Sequence, residues 1–123
     1  SEEYDIMKTH TVKGCEILEK IPQYSKNPIY QYAYDICRHH HERWDGKGYP
    51  DGIKGDDISI WSQVVAVADV YDALTAERVY KKAFDHDTAI SMIVEGKCGV
   101  FNPKLMECIK SFEKDIKDKF YRA

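Results

Sequence analysis

From Arg43 to Asp57 the chain loses all helical periodicity, and four of its seven glycines (Gly46, Gly48, Gly52, Gly55) fall there beside Pro50. On either side, apolar residues recur at three-and-four spacing. A chain like this must therefore fold as helices flanking one long ordered loop. A loop of that length inside a small domain is more often functional than filler. Trp44 and Tyr49 are placed to anchor it by packing their rings.

The first periodic stretch reads as one helix from Glu2 to Ile21, striped by Ile6, Met7, His10, Gly14, Ile17, Leu18 and Ile21 and stopped by Pro22. Asn27-Pro28 supplies an N-cap and a first-turn proline for a second helix. Its stripe is Ile29, Tyr32, Ala33, Ile36, Cys37 and His40. Residues Ile60 to Thr75 are apolar nearly all round, which predicts a helix buried on most sides with Asp69 inside it. A polar, basic stretch (Arg78, Lys81, Lys82) comes next. Asp85 then caps a fourth helix carrying Ala89, Ile90, Ile93 and Val94, which stops at Gly96. Asn102-Pro103 opens a fifth, with Leu105, Met106, Ile109, Phe112 and Ile116 inward. No strand-like alternation and no internal repeat is present. The expected fold is all-α, about five helices in a single domain over residues 1–123.

Charge narrows the function. Lys and Arg number 18 against 21 Asp and Glu, a net charge of -3, so no broad basic field marks a nucleic-acid or membrane surface. The longest purely apolar run, Val64 to Ala68, is too short to span a bilayer, and Glu2, Glu3 and Asp5 stand where a signal peptide would be basic. None of the four cysteines (Cys15, Cys37, Cys98, Cys108) forms a C-x-x-C pair. They read as reduced core residues of a cytoplasmic protein.

Three of the five histidines are consecutive (His39, His40, His41) and lead into Glu42. A helix turns each residue about 100° from the last, so neighbours cannot easily grip one ion from one side. Two adjacent imidazoles at a helix end can instead serve different ions of a cluster. His40 continues the apolar stripe of its helix, His41 stands one turn after Cys37, and His10 one turn after Ile6. Each alone is more often a satisfied core histidine than a ligand. Asp69 shifts that balance, because a buried carboxylate must be protonated, paired or metal-bound. Three imidazoles with one carboxylate suit Fe, Mn, Zn, Co or Ni. The competing account is a buried Asp69 hydrogen-bonded to one of the histidines.

Read together, HHERWDGKGYPDGIKG and the later VVAVADVYDALTAERVYKKAF closely resemble the HD-GYP family of cyclic di-GMP phosphodiesterases. His40-His41-Glu42 matches its HHE, and Gly48-Tyr49-Pro50 is the triplet in its name. The pattern runs from Met7-Lys8-Thr9-His10 through Asn102-Pro103. The resemblance implies an all-helical domain around two or three divalent transition ions, iron or manganese, hydrolysing a bacterial second messenger. It implies His10, His40, His41 and Asp69 as metal ligands, Arg78 and Lys81 as the pair holding phosphates, and Tyr49 as a residue lining the substrate site. Gly46 and Gly48 would let the loop backbone approach closely, and Pro50 would push Tyr49 to an extended backbone.

The family's adjacent His-Asp pair on an earlier helix is missing. His86-Asp87 is the one such pair here, and at the start of a helix it reads as capping. The expectation is a truncated enzyme or a natural half-domain, weak or inactive alone, that self-associates through an apolar face left uncovered. No catalytic residue is assigned. The alternative is a non-catalytic module that senses the nucleotide, or docks a signalling protein through the loop around Tyr49.

Overall fold

The computed structural model describes residues 2–22 and 26–120, with the side chains of Glu3, Tyr4 and Phe120 left aside. Among these residues the regular structure is six α-helices and one 3₁₀ turn, with no strand. The chain divides into two compact units, Ser1–Ala66 and Val67–Ala123, and the division falls inside one helix.

The first unit holds α1 (Glu2–Lys8), α2 (His10–Glu19), α3 (Pro28–His39), the long loop with its 3₁₀ turn at Gly55–Asp57, and the start of α4 (Ile60–Thr75). The single opening helix expected from the sequence is broken at Thr9. Its hydroxyl donates to Ile6 O at 2.6 Å and its amide to the same carbonyl at 3.1 Å, so a tight turn replaces one helical step. The packed face also differs from the expected stripe. Thr11 and Cys15 are buried on α2, whereas Ile6, Met7, Ile17 and Ile29 are exposed. Small residues decide this, because they let α3 lie close. A Cβ added at Gly14 would run into Cys37 Sγ. The Cys37 thiol points at Thr11 O (3.7 Å) and the Cys15 thiol at Tyr34 O (3.5 Å). Burial, reinforced by the neighbouring Cys37, pushes the Cys15 thiol up to about 12, so it stays protonated. Asn27 caps α3 as expected, its side chain accepting from Ile29 N.

The second unit holds the rest of α4, α5 (His86–Val94) and α6 (Pro103–Phe120). Its core is Val67, Leu74, Ala89, Ile90, Ile93, Phe101 and Met106. Asp85 caps α5 by accepting from Thr88 N at 2.8 Å. Past its end, Gly96 adopts φ 78°, and Lys97 N returns to Met92 O at 3.0 Å, closing the helix as such a glycine allows. Three expectations are corrected here. Phe112 is exposed rather than inward, and Cys108 is exposed rather than in the core, although all four cysteines are free thiols. His86 is not a capping residue. It is 3% exposed and takes the Tyr71 hydroxyl at Nδ1 (2.8 Å) while donating from Nε2 to Glu113 (2.9 Å), which ties α4, α5 and α6 together.

α4 is not buried on most sides either. Ser62, Gln63, Ala66, Val67 and Leu74 are buried, but Ile60, Trp61, Val64, Ala68 and Asp69 are exposed. Its mainly apolar sequence conceals a polar buried edge: the Ser62 hydroxyl donates to Asp35 O (3.2 Å) and Gln63 Nε2 to Ile58 O (2.8 Å). No described helix is long and apolar enough to cross a membrane.

Candidate metal centre

Helix ends bring three imidazoles together. His10 opens α2 directly after the break at Thr9, and His40 and His41 follow the last turn of α3. One ring nitrogen of each lies within 4.8 Å of the others. His10 Nε2 is 3.4 Å from His40 Nε2, and the His41 ring centroid is 4.9 Å from that of His10 and 4.3 Å from that of His40.

Backbone carbonyls decide which nitrogen two of these rings offer. His10 Nδ1 lies 2.6 Å from Met7 O, and His40 Nδ1 lies 2.9 Å from both Ile36 O and Cys37 O. A carbonyl only accepts, so these contacts assign the proton to Nδ1 on each ring. The two Nε2 atoms then face each other across 3.4 Å, a space that a shared cation could occupy. A carbonyl-held Nδ1–H with a bare Nε2 is the arrangement that orients metal-ligating histidines. The donor set fits a divalent transition ion. The rings lie at the surface rather than on inward faces, with His10 exposed and His40 and His41 half-buried.

The other residues singled out by sequence are placed differently. Asp69 is exposed, so the desolvation argument that first pointed to it fails; its place in the second unit is simply the exposed side of α4. Arg78 and Lys81 are exposed and bracket a tight turn, each exchanging its amide and carbonyl with the other at 3.1 Å. Val79 and Tyr80 form the tip, and Lys81 Nζ lies 4.8 Å from the Phe84 ring centroid.

The glycine-rich loop folds back onto the histidines. Tyr49 stacks on His41 with centroids 4.9 Å apart and planes 9° from parallel, and it meets His10 edge-on at 6.5 Å. Lys8 Nζ lies 5.8 Å from the Tyr49 ring centroid. The Tyr49–Pro50 peptide is cis. Gly48 passes so close to the end of α3 that an added Cβ would lie 2.6 Å from both Arg43 N and Glu42 Cα, and nearer still to His41 O. Gly46, by contrast, has room for a Cβ but adopts φ 79°.

Two polar clamps that sequence reasoning missed hold this loop. Glu42 is 2% exposed and accepts from Asp51 N (2.7 Å) and Gly52 N (2.9 Å). Arg38 grips Asp51 through two bonds of 2.8 Å, and His39 bridges Asp51 (2.8 Å) and Asp35 (2.7 Å). Asp35 also accepts from Ser59, Ser62 and Trp61 Nε1 at the start of α4. Burial pushes the Asp35 carboxyl up, but the bonds from Ser59, His39 and Trp61 outweigh it and hold the group below its usual range. His39 is thus spent on carboxylates, while its neighbours His40 and His41 join the cluster.

Arg38, with help from His39, lowers the Asp51 carboxyl to about 2. A depressed carboxylate stabilises the fold above its unfolded value, and that contribution is lost as pH falls through its folded value, here between roughly pH 4 and pH 2. Allowing for solvent screening of this partly exposed group, the contribution is about 1 kcal/mol. Urea unfolding at pH 5 and at pH 2 should show the parent losing that stability. Asp51→Asn should start lower and lack this component of the loss.

Helices that converge three imidazoles under a stacked loop make an α-helical domain with a candidate metal-ligand cluster. A family model described as an HD domain matches residues 1–105. The chain is 39% identical over 97% of its length to a probable cyclic di-GMP phosphodiesterase of Vibrio cholerae, covering 28% of that protein. It is 40% identical over 98% of its length to a cyclic di-GMP phosphodiesterase of Thermotoga maritima, covering 32% of it. A 3'3'-cGAMP-specific phosphodiesterase of Vibrio cholerae is 40% identical over 89% of the chain and 20% of that protein. The chain belongs to the HD-domain family, in its HD-GYP branch. It spans about a third or less of the length of these relatives.

Proposed function

We propose that residues 1–123 form a single HD-GYP-type domain of a bacterial, cytoplasmic phosphodiesterase that hydrolyses cyclic di-GMP with iron or manganese. The family match running from residue 1 to 105, through the division between the two units, supports the single domain. The observation that carries the metal reading is the His10–His40 pair, with both Nδ1 atoms held by carbonyls and the Nε2 atoms 3.4 Å apart. Relatives named for cyclic di-GMP supply the substrate class.

Bound divalent ions would supply a Lewis acid for the phosphoryl oxygens and a water activated at neutral pH. The chain's own residues have separable tasks. His10, His40 and His41 present nitrogen ligands, and Asp69 adds a carboxylate on the strength of its place in the sequence pattern. On the same ground, Arg78 and Lys81 neutralise non-bridging oxygens, Arg as a fork and Lys as a point charge. Tyr49 offers an aromatic face and a hydroxyl beside His41. The exposed Ile6, Met7 and Ile17 of α1 and α2 support self-association, which light scattering would register as a mass above one chain.

The test is a substrate panel of cyclic di-GMP and 3'3'-cGAMP with metal-loaded protein prepared without oxygen. At most weak, chelator-sensitive turnover that favours cyclic di-GMP is expected, because the family's adjacent His-Asp pair is not among these residues. Turnover of 3'3'-cGAMP alone would overturn the substrate assignment. Nucleotide binding without turnover would place this chain among sensing modules, and neither binding nor turnover would sink the reading altogether.

A further inference from the structure

We propose that Glu42 is a positioning residue that sets the Tyr49 ring against His41, and so couples the glycine-rich loop to the histidine cluster. The two amides it receives belong to Asp51 and Gly52, the residues directly after Tyr49-Pro50. On the other side, the Tyr49 amide donates to His41 O at 3.2 Å. Tyr49 is therefore tied down from both ends, and both ties lead to the adjacent pair His41-Glu42. The Glu42 amide itself donates to His39 O at 3.0 Å, which fixes the peptide that carries the carboxylate.

Burial makes this tie obligatory. A carboxylate 2% exposed must be compensated, and two short charge-assisted bonds from successive amides do so. Exchanging the carboxylate for a carboxamide leaves one of the two amides facing an NH2 group instead of an acceptor, so the segment after Pro50 lets go. Tyr49 then loses the restraint that keeps it nearly parallel to His41 and edge-on to His10. Glu42 ligates nothing in this account. It acts through the loop and the tyrosine on two of the three rings that rest on the metal reading above.

The experiment uses the full chain with Glu42→Gln, Tyr49→Ala, Tyr49→Phe and the Glu42→Gln/Tyr49→Ala double variant. Two readouts need neither metal nor substrate: hydrogen exchange at the Asp51 and Gly52 amides, and the NMR shift of the His41 ring protons under the Tyr49 ring current. Glu42→Gln should speed exchange by at least about tenfold at one or both of these amides and move the His41 signals toward their Tyr49→Ala positions. Tyr49→Phe should keep them. Zinc affinity is the third readout, and second-shell changes of this kind cost about tenfold or more. Glu42→Gln and Tyr49→Ala should each weaken zinc binding by about that factor, and the double variant by no more than either of them.

Faster exchange with an unmoved His41 signal would reduce Glu42 to a plain structural clasp and overturn the proposal, as would additive zinc losses. If Glu42→Gln unfolds, Glu42→Asp, one methylene shorter, should give the same two spectral changes at smaller size. Failure of the parent to bind zinc would count against the metal reading, while exchange and ring shifts would still decide the role of Glu42.

Discussion

Protein carrying His40→Ala is expected to lose bound divalent metal, whereas His39→Ala, one residue earlier, is expected to keep it. Three consecutive histidines look equivalent in the sequence, but the structure separates them by partner. His39 has both ring nitrogens on carboxylates, Asp35 and Asp51, which themselves hold the loop and the start of α4. His40 has Nδ1 on two carbonyls and Nε2 facing His10. Since even outer-shell changes cost about 10- to 100-fold in metal affinity, deleting one of three imidazoles should cost at least about 100-fold. At micromolar protein that takes near-stoichiometric metal to background, and elemental mass spectrometry on oxygen-free preparations measures it directly. His39→Ala should instead lower the melting temperature by loosening the Asp35 and Asp51 clamp, with metal content unchanged. His86→Ala is a second control, since its nitrogens serve Tyr71 and Glu113 in the second unit. Equal metal loss in His39→Ala and His40→Ala would show that the ligand assignment is wrong.

Which features could be read from the sequence follows from how local their causes are. Asn27, Asp85 and Asn102 announced three helix starts because a cap needs only its own next few amides, and each accepts one there. The loop was legible through its glycines and proline, and His10, His40 and His41 through their helix-end positions. The break at Thr9 was hidden because it depends on one hydroxyl choosing a carbonyl three residues back. Which face of α2 packs was hidden too, since a stripe of Ile and Leu outweighs Thr11, Gly14 and Cys15 in any count of hydrophobicity. The spacing showed a glutamate after two histidines, but its task is set by amides nine and ten residues further on, after the loop has reversed. The inward placement of Asp69 was inferred from apolar neighbours, and on α4 several of those neighbours are themselves exposed.

Gly48→Ala is expected to be the most damaging single substitution in the loop, and the reason is steric rather than conformational. The atoms that a methyl group would meet are all backbone: His41 O, Arg43 N and Glu42 Cα. None can swing aside as a side chain would, so either the end of α3 or the loop must move as a piece. Overpacking a rigid site costs about 1–3 kcal/mol and sometimes more. With three backbone atoms in the way the upper end applies, a large share of the 5–15 kcal/mol that holds a typical domain together. Gly55→Ala isolates the other cause. That residue adopts φ 60° with nothing within 4 Å of an added Cβ, so it should lose only the left-handed preference, about 1 kcal/mol. Urea denaturation of both variants beside the parent would separate the two costs. Displacing Gly48 should also pull Tyr49 from His41 and free the Asp51 and Gly52 amides. Gly48→Ala should therefore expose those amides to exchange even where the helices survive. A Gly48→Ala protein as stable as Gly55→Ala, with those amides still protected, would mean that the loop can back away from α3 at little cost and that the close approach is not what holds it.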